Sequence, residues 1–270
     1  MMPVANARMY SVTPAVKADW RRVLEWALAR AGLEWDVIDF DAPAPLAQLW
    51  ARADLGATMM CGLPYSQRHP RPTLIAAPRP SPARYGGRPI YFTDIVVPAG
   101  SSCRTLEDTF GGVVGYTLAD SMSGGVALHR HLKAFRTAER PRLYRQAVGG
   151  LIHARGVIEA LAAGTIDVGP LDSYCHDLLV RNDPAFAAQV RTVATTPARP
   201  IPPLVATAAL AGDELERLRH ALLAVSGANE LRATMDRLLL DGFAVPRAAD
   251  YDVLAAMAGE SQGDDAWKEP

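Results

Sequence analysis

The stretch Asp120-Ser121-Met122-Ser123-Gly124-Gly125 sets two serines and two glycines between an apolar run, Val113 to Leu118, and a segment with helical apolar spacing. A helix beginning near Ser123 offers unpaired backbone N–H groups and the positive end of its dipole, the hydroxyls can donate, and the glycines let the backbone approach a ligand closely. Such a turn can hold an oxyanion. The same residues can also do no more than start the helix, with Ser121 or Ser123 as its N-cap, a use worth about 1 kcal/mol. The residues alone leave both readings open.

Other candidates surround it. His153 follows Gly149-Gly150 near the start of another helix, with Arg155 two positions on, so either could reach an anion, or His153 is structural. Asp167 and Asp172 bracket a strand; Asp172 with Ser173 is placed to cap the next helix, and a carboxylate at the strand's C-terminal end could take a ligand's ammonium group. Tyr10, Tyr65, Tyr91 and Tyr174 fall at strand ends or helix starts, where they could supply hydroxyls and aromatic faces. His129 and His131 are two apart on a helix, which points them to different faces, excludes an i, i+4 metal pair and reads as surface.

Cys61, Cys103 and Cys175 lack metal or disulfide spacing, and each is expected as a small buried hydrophobe. The sequence contains no GxSxG elbow, Walker sequence, HExxH or GxGxxG after a strand. No catalytic residue, metal site or cofactor is therefore assigned.

The elements that must position these residues alternate strand and helix: RMYSV, a helix from about Ala15 to Ala31, EWDVIDF, a short helix near Leu46–Ala51, then ATMMCG. That order predicts an α/β fold with a parallel or mixed sheet. Trp20, Val23, Leu24, Trp26 and Ala27 recur at core spacing, and both tryptophans are expected to be buried. Residues 64–89 are rich in proline and arginine and read as loop with a short strand, TLIAA. Two long extended runs, PIYFTDIVVPAG and VRTVATTPARPIPPLVATAAL, enclose a second alternation of strands and helices. This layout predicts two lobes, 1–94 with 204–270 and 95–203, joined by two hinge crossings around a ligand cleft. After Leu210 come two amphipathic helices, a turn at DGF, a last short helix near Tyr251 and a polar tail expected to fray.

The chain has 270 residues, is 49% hydrophobic and carries a formal charge of -1, so a large core is available and nothing suggests a nucleic-acid surface or a polybasic anchor. No apolar run approaches the roughly 20 residues that span a bilayer, and the first residues lack an export signal. As printed, the chain is expected to be soluble.

The stretches ARMYSVTPAV, CGLPY, YFTDIVVPAGSSCRTLEDTFGG, VVGYTLADSMSGG, EALAAGTIDVGPLDSY and DGFAVPRAADY, spread over roughly residues 7–251, resemble the solute-binding components of phosphate, phosphite and phosphonate ABC importers. The resemblance implies a type II periplasmic-binding fold of two α/β lobes with the ligand between them. It implies a non-catalytic monomer that binds a small oxyanion (a phosphonate, phosphate-like or sulfonate compound) and hands it to an ABC permease. Ser121, Met122, Ser123 and Gly124 would cradle the anion; Tyr65 and Tyr91 or Thr93 would face the ligand, and Asp172 would meet an amine substituent. Two departures stand out: Val157 occupies the position of a serine that usually follows the family histidine, and Met122 replaces a small polar residue between the serines. The family works in the periplasm, whereas the missing signal points to the cytoplasm if the chain is full-length. An enzyme on the same fold, similar to menaquinone-pathway dehydratases or thiamine-pyrimidine synthases, and an intracellular sensor are the rival readings.

Overall fold

The structure is a computed structural model that describes residues 2–261. Strand β1 (Val4–Asn6) leads into α1 (Pro14–Ala31). Thr13 caps that helix by accepting the Val16 amide, Pro14 occupies its first turn, and Gly32 ends it at φ +64°, so its bounds follow from three local signals. Next come β2 (Asp36–Val37), α2 (Leu46–Trp50), β3 (Leu55–Met59), α3 (Gly62–Gln67) and β4 (Thr73–Pro80).

Beyond β5 (Ile90–Tyr91) the chain forms β6 (Thr93–Pro98), β7 (Val113–Gly115), α4 (Ala127–Lys133), β8 (Gln146–Val148), α5 (Ala154–Ala162), β9 (Gly169–Asp172), α6 (Ser173–Asn182), α7 (Pro184–Ala187) and β10 (Val190–Thr195). It returns through β11 (Arg199–Pro200) to β12 (Leu204–Ala206), α8 (Gly212–Leu223), α9 (Arg232–Arg237), β13 (Leu240–Ala244) and α10 (Asp252–Ser261).

The chain divides into two compact units: unit 1 holds the residues up to 90 with 200–252, and unit 2 holds 91–199 with the described residues from 253 on. The boundaries fall a few residues before those expected from the sequence, and α10 groups with unit 2.

Unit 1 is built on a six-stranded mixed sheet, β13-β4-β12-β3-β1-β2, in which β1 runs parallel to β2 and β3 while β12 and β13 are antiparallel to their neighbours. Helix α1 presents Trp20, Val23, Leu24 and Ala27 to the core, each at most 1% exposed, and each large aliphatic side chain buried this way contributes about 1.5–3 kcal/mol. Trp26 departs from the expectation: it is half-buried, and its indole N–H reaches outward to Glu230 at 2.7 Å.

The proline-rich stretch also differs from its reading as loop, since β4 continues through Pro78 and Pro80. The residues there pair only with β13, because β12 meets β4 at Thr73, Leu74 and Ala76, so prolines lacking an N–H are tolerated on the unpaired side. The expected DGF turn is part of β13, with Gly242 at φ +141°.

Unit 2 carries an antiparallel sheet, β10-β6-β9, and a parallel pair, β7 with β8. Its core gathers Ile95, Val97, Leu106, Val114, Leu128, Leu132, Leu143 and Val168. Phe110 packs edge-on against Phe135 and Tyr144 at 5.6 and 5.7 Å beside that core. Of the polar tail expected to fray from Glu260 on, Glu260 and Ser261 close α10, and the rest lies outside the described residues.

Candidate functional site

The serine turn lies in unit 2, after β7. The helix that follows opens with one π turn, Met122–Val126, in which the Val126 amide donates to the Ser121 carbonyl at 2.9 Å, and continues as α4. Ser121 is extended and its hydroxyl oxygen accepts the Gly124 amide at 3.2 Å, so it is the N-cap. Its own proton stays available to donate. Among the described residues, no hydrogen bond falls on the Met122 or Ser123 amide or on the Ser123 hydroxyl. These donors stand at the positive end of the helix, where negative charge is favoured. Met122 as a whole is buried, 1% exposed.

Two threonines fix the turn. The Thr93 hydroxyl donates to the Ser123 carbonyl at 2.9 Å, and its amide donates to the Thr196 hydroxyl at 3.0 Å. Thr93, buried on β6, therefore braces the turn from within. Thr117 was not singled out from the sequence. Its amide donates to the Gly124 carbonyl at 3.0 Å, and a Cβ on Gly124 would fall 1.8 Å from its Oγ1. Only glycine allows this approach.

Asp172 sits directly opposite Thr93 in the antiparallel β6–β9 pair, and β9 packs against the π turn. The topology thus brings Thr93, Asp172 and the serine turn together. The Asp172 carboxylate accepts the Tyr174 and Cys175 amides at 2.9 and 3.1 Å and caps α6. Burial pushes its carboxyl up to about 7, against the pull of these two amide bonds, and the charges of Asp94 and Asp177 add to the rise. Asp94, fully buried, accepts from the Thr195 hydroxyl at 3.2 Å and lies 2.8 Å from His176 Nδ1.

His153 is exposed and caps α5, its Nδ1 accepting the Gly156 amide at 3.0 Å. The neutral ring then carries its proton on Nε2, free to donate outward. Arg155 is directed elsewhere: it pairs with Asp183 at 2.9 Å and lies 3.9 Å over the Phe186 ring. Tyr91, at the entrance to unit 2, and Tyr174 are each at most 2% exposed.

Tyr10 and Tyr65 belong to unit 1. Tyr10 packs 6.5 Å from Trp20, and Tyr65 meets Tyr251 edge-on at 5.1 Å with Arg71 over its ring. Burial raises the Tyr65 hydroxyl's pKa despite Arg71.

Two sequence expectations are corrected. His129 is not a surface residue; at 2% exposure it shares the buried face of α4 with Leu128 and Leu132. His131 is half-buried beside Phe135 and its pKa is lowered by burial. The three cysteines are half-buried rather than buried. Among the described residues no cluster of His, Cys, Asp or Glu is arranged for a metal, and no helix is long and apolar enough to cross a membrane.

Comparison with known proteins follows the same lines. Residues 47–251 match the family described as the ABC transporter, phosphonate, periplasmic substrate-binding protein. The chain belongs to this family.

Solved structures share its architecture. A binding protein component of an ABC phosphonate transporter from Pseudomonas aeruginosa superposes with a TM-score of 0.79 at 17% identity, covering 98% of this chain and 88% of that one. PhnD1 from Prochlorococcus marinus, solved with methylphosphonate, gives 0.76 at 14% identity over 96% and 97% of the two chains. XAC2383 from Xanthomonas citri, solved with ATP, gives 0.65 at 18% identity over 98% and 99%. No curated protein gives a significant match. The fold is the two-lobe type II fold of periplasmic binding proteins, as the resemblance implied.

Proposed function

We propose that this protein is the non-catalytic binding component of an ABC importer and that its serine turn holds the charged head of a small oxyanion, foremost a phosphonate. The observation that carries this reading is the unpartnered donor set of the Met122 and Ser123 amides and the Ser123 hydroxyl, at a helix start pinned by Thr93 and Thr117. Family membership supports a binding role, and the relative from Prochlorococcus marinus is in complex with methylphosphonate. The Ser121 hydroxyl adds a further donor. Each charge-assisted hydrogen bond contributes about 1.5–3 kcal/mol, so three or four support micromolar affinity.

His153, through Nε2, and Asp172 read the remainder of the ligand, Asp172 by accepting from an ammonium group. The ligand then passes to a membrane permease, in keeping with the family's periplasmic role. Tyr65, Tyr91 and Tyr10 act as packing that shapes the two units.

The test is calorimetric titration with methylphosphonate, phosphate, phosphite and methanesulfonate, on the protein and on Ser123→Ala. Micromolar binding of a phosphonate, weakened about tenfold or more in a variant that remains folded, supports the assignment. Equal affinity in Ser123→Ala overturns it.

A further inference from the structure

Residues 130–145 of unit 2 carry six cationic side chains, Arg130, Lys133, Arg136, Arg140, Arg142 and Arg145, against one carboxylate, Glu139. The whole chain has 28 Lys and Arg against 29 Asp and Glu. This segment therefore contributes +5 to a total of -1, and the other residues together sum to -6. Crowding of like charge costs self-repulsion and draws in a partner of opposite sign.

A second arginine-rich stretch, in unit 1, spends its cations internally. Residues 55–93 hold five arginines and no Asp or Glu. There Arg71 pairs with Asp252 at 2.7 Å, Arg79 pairs with Asp241 at 3.0 Å, and Arg68 donates to the Trp50 carbonyl at 3.0 Å, all within unit 1. The cations of 130–145 are used differently. Among the described residues the exposed Lys133 and Arg142 side chains make no ion pair or hydrogen bond, and Arg140 lies over the Phe110 ring at 5.6 Å. Arg145, 68% exposed, comes no nearer to Asp167 than 3.9 Å.

The backbone that carries these cations is held in place. Leu132 and Leu143 belong to the core of unit 2, and Phe135 and Tyr144 pack against it. The Gly111 amide donates to the Leu143 carbonyl at 2.7 Å, the Arg145 amide donates to the Gly112 carbonyl at 3.0 Å, and Thr137 and Arg140 exchange amide-to-carbonyl bonds at 3.3 and 3.2 Å. The apolar side chains of the segment are thus spent on the core while its charges remain outside. A surface ordered in advance loses less freedom when it binds.

We propose that the exposed cations of residues 130–145 form a docking surface for a partner protein that presents an acidic face. Five of the six are arginine, whose planar fork takes a carboxylate through two parallel hydrogen bonds. A lipid surface fits less well: basic residues hold a protein stably on a membrane only together with a second, apolar signal, and none of the large exposed apolar residues falls in this segment. Contacts between exposed charges form fast and weaken with salt, which suits a carrier that docks and leaves in each cycle. On the importer reading above, on which this choice of partner rests, the acidic face is the permease's.

The probe is a fluorescein-labelled peptide of alternating glutamate and serine, titrated by anisotropy with three proteins: the natural chain, Lys133→Glu with Arg142→Glu, and Arg88→Glu with Arg232→Glu. The last pair changes the net charge equally but lies in unit 1. Vesicles of phosphatidylglycerol and phosphatidylcholine are titrated in parallel, and methylphosphonate is titrated by calorimetry. The natural chain is expected to bind the peptide in about 0.05 M salt and to lose about tenfold or more in about 0.5 M. Reversal at 133 and 142 is expected to cost about tenfold or more and the unit 1 reversal less than about twofold, with methylphosphonate affinity the same in all three. Equal peptide affinity after reversal at 133 and 142, equal losses in both variants, or tighter binding to vesicles than to the peptide overturns the docking surface and leaves the anion turn standing. Failure of methylphosphonate to bind, with the peptide results as expected, overturns the importer reading and leaves an acidic-partner surface with no permease assigned to it.

Discussion

The side-chain hydroxyl of Thr93 donates to the backbone carbonyl of Ser123 at 2.9 Å, across thirty residues of sequence. The bond ties β6 of unit 2 to the turn proposed above to hold the oxyanion. It satisfies the Ser123 carbonyl, whereas the Ser123 amide and hydroxyl make no hydrogen bond among the described residues.

Thr93→Val removes that donor and leaves a carbonyl unsatisfied. A loss of about 1–3 kcal/mol in chemical denaturation is expected, together with weaker phosphonate binding. Thr93→Ser keeps the hydroxyl and should restore most of the affinity. Equal binding by the valine and serine variants would separate Thr93 from the turn.

Gly124→Ala introduces a Cβ that meets the Thr117 hydroxyl, 1.8 Å away in the unrelaxed geometry. Overpacking of this kind costs about 1–3 kcal/mol or more. Thr117→Ala in the same chain removes the nearest obstacle, so the double variant should be more stable than the two single losses added together. Strict additivity in thermal unfolding would show that the two sites do not touch.

Asp172 has a folded-state pKa of about 7, above its ordinary value of 3.8. Between these values the folded protein binds more protons at this group than the unfolded chain, so the contribution to stability is full below about pH 4 and is lost as pH rises through about 7. Asp172→Asn should flatten this part of the stability profile measured by urea at pH 5 and pH 8. An aminoalkylphosphonate should bind more tightly as the carboxyl ionises, with a buffer-dependent enthalpy that reports proton release. An affinity independent of pH between 6 and 8 would remove Asp172 from the amine contact.

His176→Ala takes a partner from the buried Asp94 carboxylate, 2.8 Å from Nδ1. A loss of about 1.5–3 kcal/mol is expected for a hydrogen bond to a charged group. His176→Asn, which can place an amide donor near the same point, should recover part of it. Full stability in the alanine variant, read by denaturant midpoint, would show that Thr195 and the remaining surroundings suffice.

What could be read in advance followed local rules. The core spacing of Trp20, Leu24 and Ala27 located α1, and Asp172 before Ser173 announced the cap of α6. The serine turn was visible because hydroxyls, glycines and a helix start are neighbours in sequence. Thr117 was not visible, since its role depends on a backbone approach to Gly124 that only the folded loop creates. Trp26 and His129 were misplaced for one reason: spacing defines a helix face, but the elements packed against it decide how wide the buried stripe is. The extension of β4 through two prolines was hidden because proline argues against a strand unless one side is known to be unpaired.

The grouping of α10 with unit 2 has a topological consequence. The polypeptide passes between the units three times, near residues 90, 199 and 252, and an odd number of passages leaves the first and last described residues in different units. Unit 2 is therefore not a single excisable segment: a fragment ending at Arg199 would lack Leu254 and Met257, both at most 2% exposed, and the contact of Met257 Sδ with Arg199 Nε at 3.1 Å. Cutting the chain just before α10 while keeping both pieces in one solution would turn an intramolecular staple into a measurable bimolecular association.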